Sequence, residues 1–141
     1  MRAMRALVLA SIVAGCADER ADVEPLGDYT TWKRIDTYGK TPGHGDSYRI
    51  IYANPLAEAG PIYPDGTVLV KEVYDRNSMG GPGALRVIEI SRRLASAPDD
   101  QDGWLFTDTD APNGVEYVQD FCWRRCHTAA PWAGAWFDYS Q

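Results

Sequence analysis

Residues 67–74, Thr-Val-Leu-Val-Lys-Glu-Val-Tyr, follow directly on Pro64-Asp65-Gly66. A run so rich in β-branched and aromatic side chains, entered through Pro-Asp-Gly turn chemistry, commits this part of the chain to a strand. Three further runs repeat the pattern: 48–53, closed by Asn54-Pro55; 84–91, after the Gly/Pro-rich stretch 77–83; and the short 104–107, after the turn-rich stretch 97–103. Leu56 to Ala59 is long enough for one helical turn. From Val115 to Cys126, Val115, Val118, Phe121 and Cys122 fall at helical spacing. No internal repeat is present. The expected fold class is α+β, a mainly antiparallel β-sheet with a C-terminal helix.

That expected helix ends in Cys122-Trp123-Arg124-Arg125-Cys126-His127. Two thiols followed at once by an imidazole are the parts that hold a c-type haem. Cys122 and Cys126 would form thioethers with the vinyl groups, and His127 would be the proximal iron ligand. The usual attachment motif has two residues between the cysteines, whereas this one has three. On a helix, positions i and i+4 share a face but lie one residue further apart than i and i+3, so the thioethers need slight unwinding. A Cys122–Cys126 disulfide is the other reading of the pair. It also needs distortion, because the Cα separation of such a pair, roughly 6 Å, is near the long end of the permitted range. His44 is the only other histidine, and Met79 is the one methionine outside the first five residues. Met79 would reach an iron only if its Gly-rich loop folded over it. An open sixth position is therefore expected, which favours small-molecule binding over simple electron transfer. Trp104 and Phe106 are candidates for setting access to that face.

The first five residues carry Arg2 and Arg5, and Ala6 to Ala14 is an apolar run too short to span a bilayer. It ends in Val13-Ala14-Gly15-Cys16, which resembles the bacterial lipobox, so Cys16 is the expected lipidation site. An ordinary secretory signal with an incidental cysteine is the alternative, and either places the domain outside the cytoplasm. Ala17 rather than Asp after the cysteine favours an outer-membrane anchor, with the protein facing the periplasm or the exterior. The expected organisation is a signal peptide over 1–15, a lipidated N-terminus and tether over 16–42, and one domain over 43–141. Thr30 to Lys33 is expected to open a short helix that packs Trp32 on the domain. Removing residues 1–15 leaves 126 residues with 12 basic and 20 acidic side chains, a charge of −8. Such acidity argues against nucleic acid as a partner and suits a basic redox partner. In an oxidising compartment Cys122 and Cys126 are expected to be crosslinked, to each other or to a haem.

The segments Tyr48-Arg49-Ile-Ile-Tyr52-Ala53-Asn54, Tyr63-Pro64-Asp65-Gly66-Thr67-Val-Leu-Val-Lys71-Glu72, Gly103-Trp104 and Cys122…Cys126-His127 occur in this order. Together they resemble the cytochrome P-460 family of small periplasmic c-haem proteins, from about residue 43 to residue 139. The resemblance implies a mainly antiparallel β domain, often dimeric, with a five-coordinate haem on a C-terminal helix. It also implies chemistry on small nitrogen species: hydroxylamine oxidation in one branch, nitric oxide binding in the cytochrome c-prime-beta branch. The expected function is a haem protein that binds or oxidises such a species, as enzyme, gas binder or electron carrier. A haem-free lipoprotein with a Cys122–Cys126 disulfide, serving as a binding or structural module, is the alternative.

Four further features belong to this reading. Lys71 invites comparison with the lysine that crosslinks to haem in the hydroxylamine-oxidising branch; a surface ion pair with a carboxylate on a neighbouring strand is the plainer expectation. Glu72 alternates with Lys71 and so points to the opposite face, where it would relay protons if it met the pocket or pair with Arg49 if it did not. His44 is expected as a loop histidine, with a distal ligand or base as the sharper alternative. Arg124 and Arg125 would meet haem propionates or form a solvated helical face. The aromatic tail 131–139 is expected to pack near the haem, complete a dimer interface or close the core.

Overall fold

The computed structural model describes residues 19–60 and 62–141. The signal-like leader and the Cys16 lipidation site lie outside the described residues. One antiparallel sheet carries six strands in chain order: β1 (Lys33–Thr41), β2 (Gly45–Ala53), β3 (Val68–Arg76), β4 (Pro82–Arg93), β5 (Trp104–Thr109) and β6 (Tyr117–Val118). Each strand pairs with the next, so the sheet is a meander. A five-residue helix, α1 (Phe121–Arg125), follows β6 and runs through Cys126 into a 3₁₀ turn at His127–Ala129. No helix among the described residues is long and apolar enough to cross a membrane.

The four strands read from the apolar runs are β2 to β5, and a 3₁₀ turn occupies Pro55–Ala59. The helix expected from Val115 to Cys126 is corrected to α1 alone. Upstream of it, Tyr117 and Val118 pair with Asp108 and Thr107 of β5, and residues 19–21 bond along their other edge. Glu116 is pulled onto the sheet by Arg92 (2.5 Å) and the Thr107 hydroxyl (2.6 Å), all three buried. Extended pairing and this ion pair outweigh the helical spacing of the apolar residues.

Residues 33–41, read as part of a tether, form β1, which pairs over all nine residues with β2. Residues ahead of 43 thus belong to the sheet. Ahead of β1, a 3₁₀ turn at Tyr29–Thr31 brings Tyr29 into the core and seats Trp32 against it.

Among the described residues the sheet has no partner sheet, so each of its faces needs its own cover. On one face Ile50, Tyr52, Val70, Ile88 and Ile90 pack under Leu26, Tyr29 and Trp32 from the N-terminal segment. On the other, Ile51, Ala53, Leu69 and Phe106 pack with Trp104 and Tyr63 under Ala135, Tyr139, Cys122 and Trp123 from the C-terminal segment. Alternation along the strands sends Glu72 to the first face. There its carboxylate is 6% exposed and accepts hydrogen bonds from the Tyr29 (2.6 Å) and Tyr74 (2.7 Å) hydroxyls. Arg49 does not pair with it. The Arg49 guanidinium is buried on the opposite face and donates to Thr37, Thr41, Ser47 and the Gly39 carbonyl. The expected Arg49–Glu72 pair is therefore corrected, because the two belong to different faces.

Tyr29→Phe leaves one oxygen of the buried Glu72 carboxylate without a donor and is expected to destabilise the fold by about 1–3 kcal/mol. Urea unfolding checks this; an unchanged midpoint would mean that the segment before β1 is a tether after all.

Candidate functional site

The C-terminal cover is built around a sharp change of backbone direction. Within α1 the Cys126 amide donates to the Cys122 carbonyl at 3.2 Å, one ordinary helical turn. At Cys126 the backbone leaves the helix (φ −134°, ψ −54°) and the 3₁₀ turn begins. This break absorbs the extra residue between the cysteines: His127 does not continue the helix but swings in against the sheet. Both thiols are free. The Cys122–Cys126 disulfide of the alternative reading is not formed here.

His127 is held from three sides. Its Nδ1 lies 2.6 Å from the Gly134 carbonyl, which fixes the proton on Nδ1 and leaves the Nε2 lone pair available as a ligand. The Phe106 ring lies 4.6 Å away by centroids and Trp136 lies 6.5 Å away. Burial lowers the His127 pKa, against the opposing pull of the Gly134 carbonyl, and so favours the neutral, ligand-competent ring. Gly134 has a reason to be glycine. Its φ is +89°, and a Cβ there would sit 2.7 Å from Trp104 Nε1 and 3.0 Å from the Trp123 ring. Trp104 Nε1 in turn donates to the Ala133 carbonyl at 2.9 Å, which ties the turn to the sheet.

Between this cover and the sheet lies an open cavity of about 540 Å³, counting the solvent space at its mouth. His127, Cys122, Trp136 and Phe137 line one side; Phe106, Leu69, Lys71 and Glu89 line the sheet side. Lys71 and Glu89 stand directly opposite each other on β3 and β4, and Lys71 Nζ is 2.5 Å from Glu89 Oε2. His44 completes the group, with Nε2 3.0 Å from Lys71 Nζ and Nδ1 3.3 Å from Glu89 Oε1. Burial works to raise the Glu89 carboxyl. The His44 hydrogen bond and the Lys71 charge outweigh it and hold the group down at about 2, ionised. Burial, with the Glu89 charge behind it, pushes the Cys122 thiol up to about 11.

The fold thus brings Cys122, His127 and Lys71 to one cavity, with Cys126 one helical turn from Cys122. It takes Glu72 out of the site, to the far face of the sheet. His44 is a loop histidine as expected, in the turn between β1 and β2, and it contacts both charged residues. Of Trp104 and Phe106, Phe106 faces the cavity and Trp104 packs behind it. Met79 is 91% exposed and does not line the site, while Arg124 and Arg125 are exposed on α1. The tail contributes Ala135, Trp136, Phe137 and Tyr139 to the cavity. Glu89 is the residue that sequence reasoning missed. A lone carboxylate inside the apolar run Val87-Ile88-Glu89-Ile90 was the available signal.

The Cytochrome P460 family model matches residues 26–135, and the chain belongs to that family, whose members bind haem. No curated protein matches the chain. The residues present fit the group: an imidazole with its outer nitrogen free, two unbridged thiols one helical turn apart, and an aromatic cavity.

The Glu89 shift has a stability consequence. A carboxyl lowered on folding contributes stability that is present above its unfolded value, 4.5, and is lost as pH falls through about 2. Unfolding free energy is expected to decline across that window, and Glu89→Gln is expected to flatten the decline. Urea titrations between pH 5 and 2 measure both slopes; parallel slopes would overturn the assignment.

Proposed function

We propose that this chain is a c-type haem protein of the cell envelope, anchored through lipid on Cys16, that oxidises a small nitrogen species. Cys122 and Cys126 would hold the haem covalently and His127 would be its axial ligand. The observation that carries the reading is His127 itself: buried, tautomer fixed by the Gly134 carbonyl, Nε2 free, and placed beside two unbridged thiols. Bound haem would supply a redox centre and an open coordination position.

The chain's own contribution is the lining around it. Phe106 and Leu69 give the sheet side an apolar surface, and the Lys71–Glu89 pair sets charged groups beside it. Hydroxylamine is a polar hydrogen-bonding molecule whose oxidation releases protons, so a charged Lys71–Glu89 pair in the cavity lining favours that reaction over passive binding of nitric oxide. A gas-binding site would be served by an apolar wall alone. Lys71 neutralises Glu89 while the site is at rest.

Expression in the periplasm with cytochrome c maturation machinery tests attachment. The peptide carrying Cys122–His127 is expected to gain one haem in mass, with a c-type pyridine haemochrome spectrum that Cys122→Ala/Cys126→Ala abolishes. An unmodified peptide would sink the haem reading. In the loaded protein, Glu89→Gln is expected to lower hydroxylamine turnover by removing the charge that balances Lys71 beside the cavity, and unchanged turnover would remove Glu89 from the chemistry.

A further inference from the structure

We propose that His44 is a positioning residue for this site: it fastens Lys71 and Glu89 to each other from outside the cavity. The pair on its own is two flexible side chains across adjacent strands, each with roughly a quarter of its surface exposed, and such pairs hold their geometry weakly. His44 changes that. Lys71 Nζ has only N–H groups to offer, so it donates to His44 Nε2; Nδ1 then carries the ring proton and donates to Glu89 Oε1. With Lys71 donating to Glu89 Oε2, the three side chains close a ring of hydrogen bonds that uses two of the three ammonium donors. The third is left for the cavity that Lys71 lines.

The turn that carries His44 is built to present it. Gly43 (φ +80°) and Gly45 (φ +63°) flank it in the left-handed region that favours glycine. The His44 amide donates to the Thr41 carbonyl at 3.2 Å, and its own carbonyl accepts from Arg86 at 3.4 Å. A histidine aimed from a fastened turn at two charged groups, yet absent from the cavity lining, acts through them and not on a bound molecule. The inference rests on the proposed function only in taking Lys71 and Glu89 to matter in the cavity.

Pulsed reductive methylation of the purified full chain, read by peptide mass spectrometry, tests it. Exposed Lys40 is the internal reference. Lys71 is expected to be protected in the wild type and labelled about tenfold faster in His44→Ala, the change that loss of one charge-assisted hydrogen bond produces. His44→Gln is expected to restore protection, because an amide can accept from Lys71 and donate to Glu89. Where Lys71 is itself joined to the bound haem, the fraction of joined chains is read instead, with the same ordering of variants. Equal behaviour of wild type and His44→Ala, or a Gln variant no better than Ala, overturns the proposal. A haem-free chain that keeps the His44 dependence sinks the haem reading and leaves this inference standing. A haem-loaded chain whose Lys71 ignores His44 does the reverse.

Discussion

The period-two alternation of β3 decides which chemistry faces which cover. Lys71 falls on the face of Ile51 and Leu69, under the C-terminal segment; Glu72 falls on the face of Val70, under Tyr29. A one-residue slip would exchange them. Glu72 would then meet Glu89 across the strands, two carboxylates with no cation between them, and Lys71 would be buried among tyrosines. The register is pinned on both sides, by the uninterrupted run from Ala53↔Leu69 to Tyr48↔Tyr74 with β2 and by the run from Val68↔Arg92 to Val73↔Val87 with β4. The irregularity in the β3–β4 pair begins only after Val73, beyond the residues that matter.

The second requirement is that His127 be rigid, and its rigidity is borrowed from the sheet. Trp104 begins β5, almost wholly buried; its indole holds the Ala133 carbonyl, and the next carbonyl in the same tight turn holds His127. The mutual Trp132–Ala135 backbone bonds keep that turn closed. The imidazole is thereby oriented by a strand residue that never touches it. Phe106, two residues along β5 on the same face, supplies the surface against which the ring rests.

Much of this was legible in the chain. Four strands announced themselves because buried central strands need β-branched and aromatic residues, and the Cys/Cys-His grouping marked the site directly. β1 was illegible because it is an edge strand: Arg34, Asp36, Tyr38 and Lys40 face solvent, and only Ile35 on its other face joins the core. The overlong helix had a different cause. Val115, Val118 and Phe121 share a helical face by spacing, but the Arg92–Glu116 pair is a long-range contact that no local pattern encodes. Glu89 was missed for that same reason, and so was the contact that His44 makes with it. Each gains its meaning only when β1–β2, β3 and β4 are laid side by side.

The Lys71–Glu89 pair also says something about what the cavity is for. Two other buried charged groups have specific partners: Arg92 with Glu116, which also accepts from Thr107, and Glu72 with two tyrosine hydroxyls. An ion pair in an apolar setting is seldom kept for stability, since apolar residues of similar volume serve the fold as well or better. Here the pair stands in a lining that is largely apolar, with Ile51, Leu69, Phe106 and Phe137 among its members. Stability alone does not account for it. A carboxylate held ionised next to a cavity, with a cation to balance it and a histidine to steady both, is an arrangement suited to fixing the charge and hydrogen-bonding groups that whatever the cavity admits will meet.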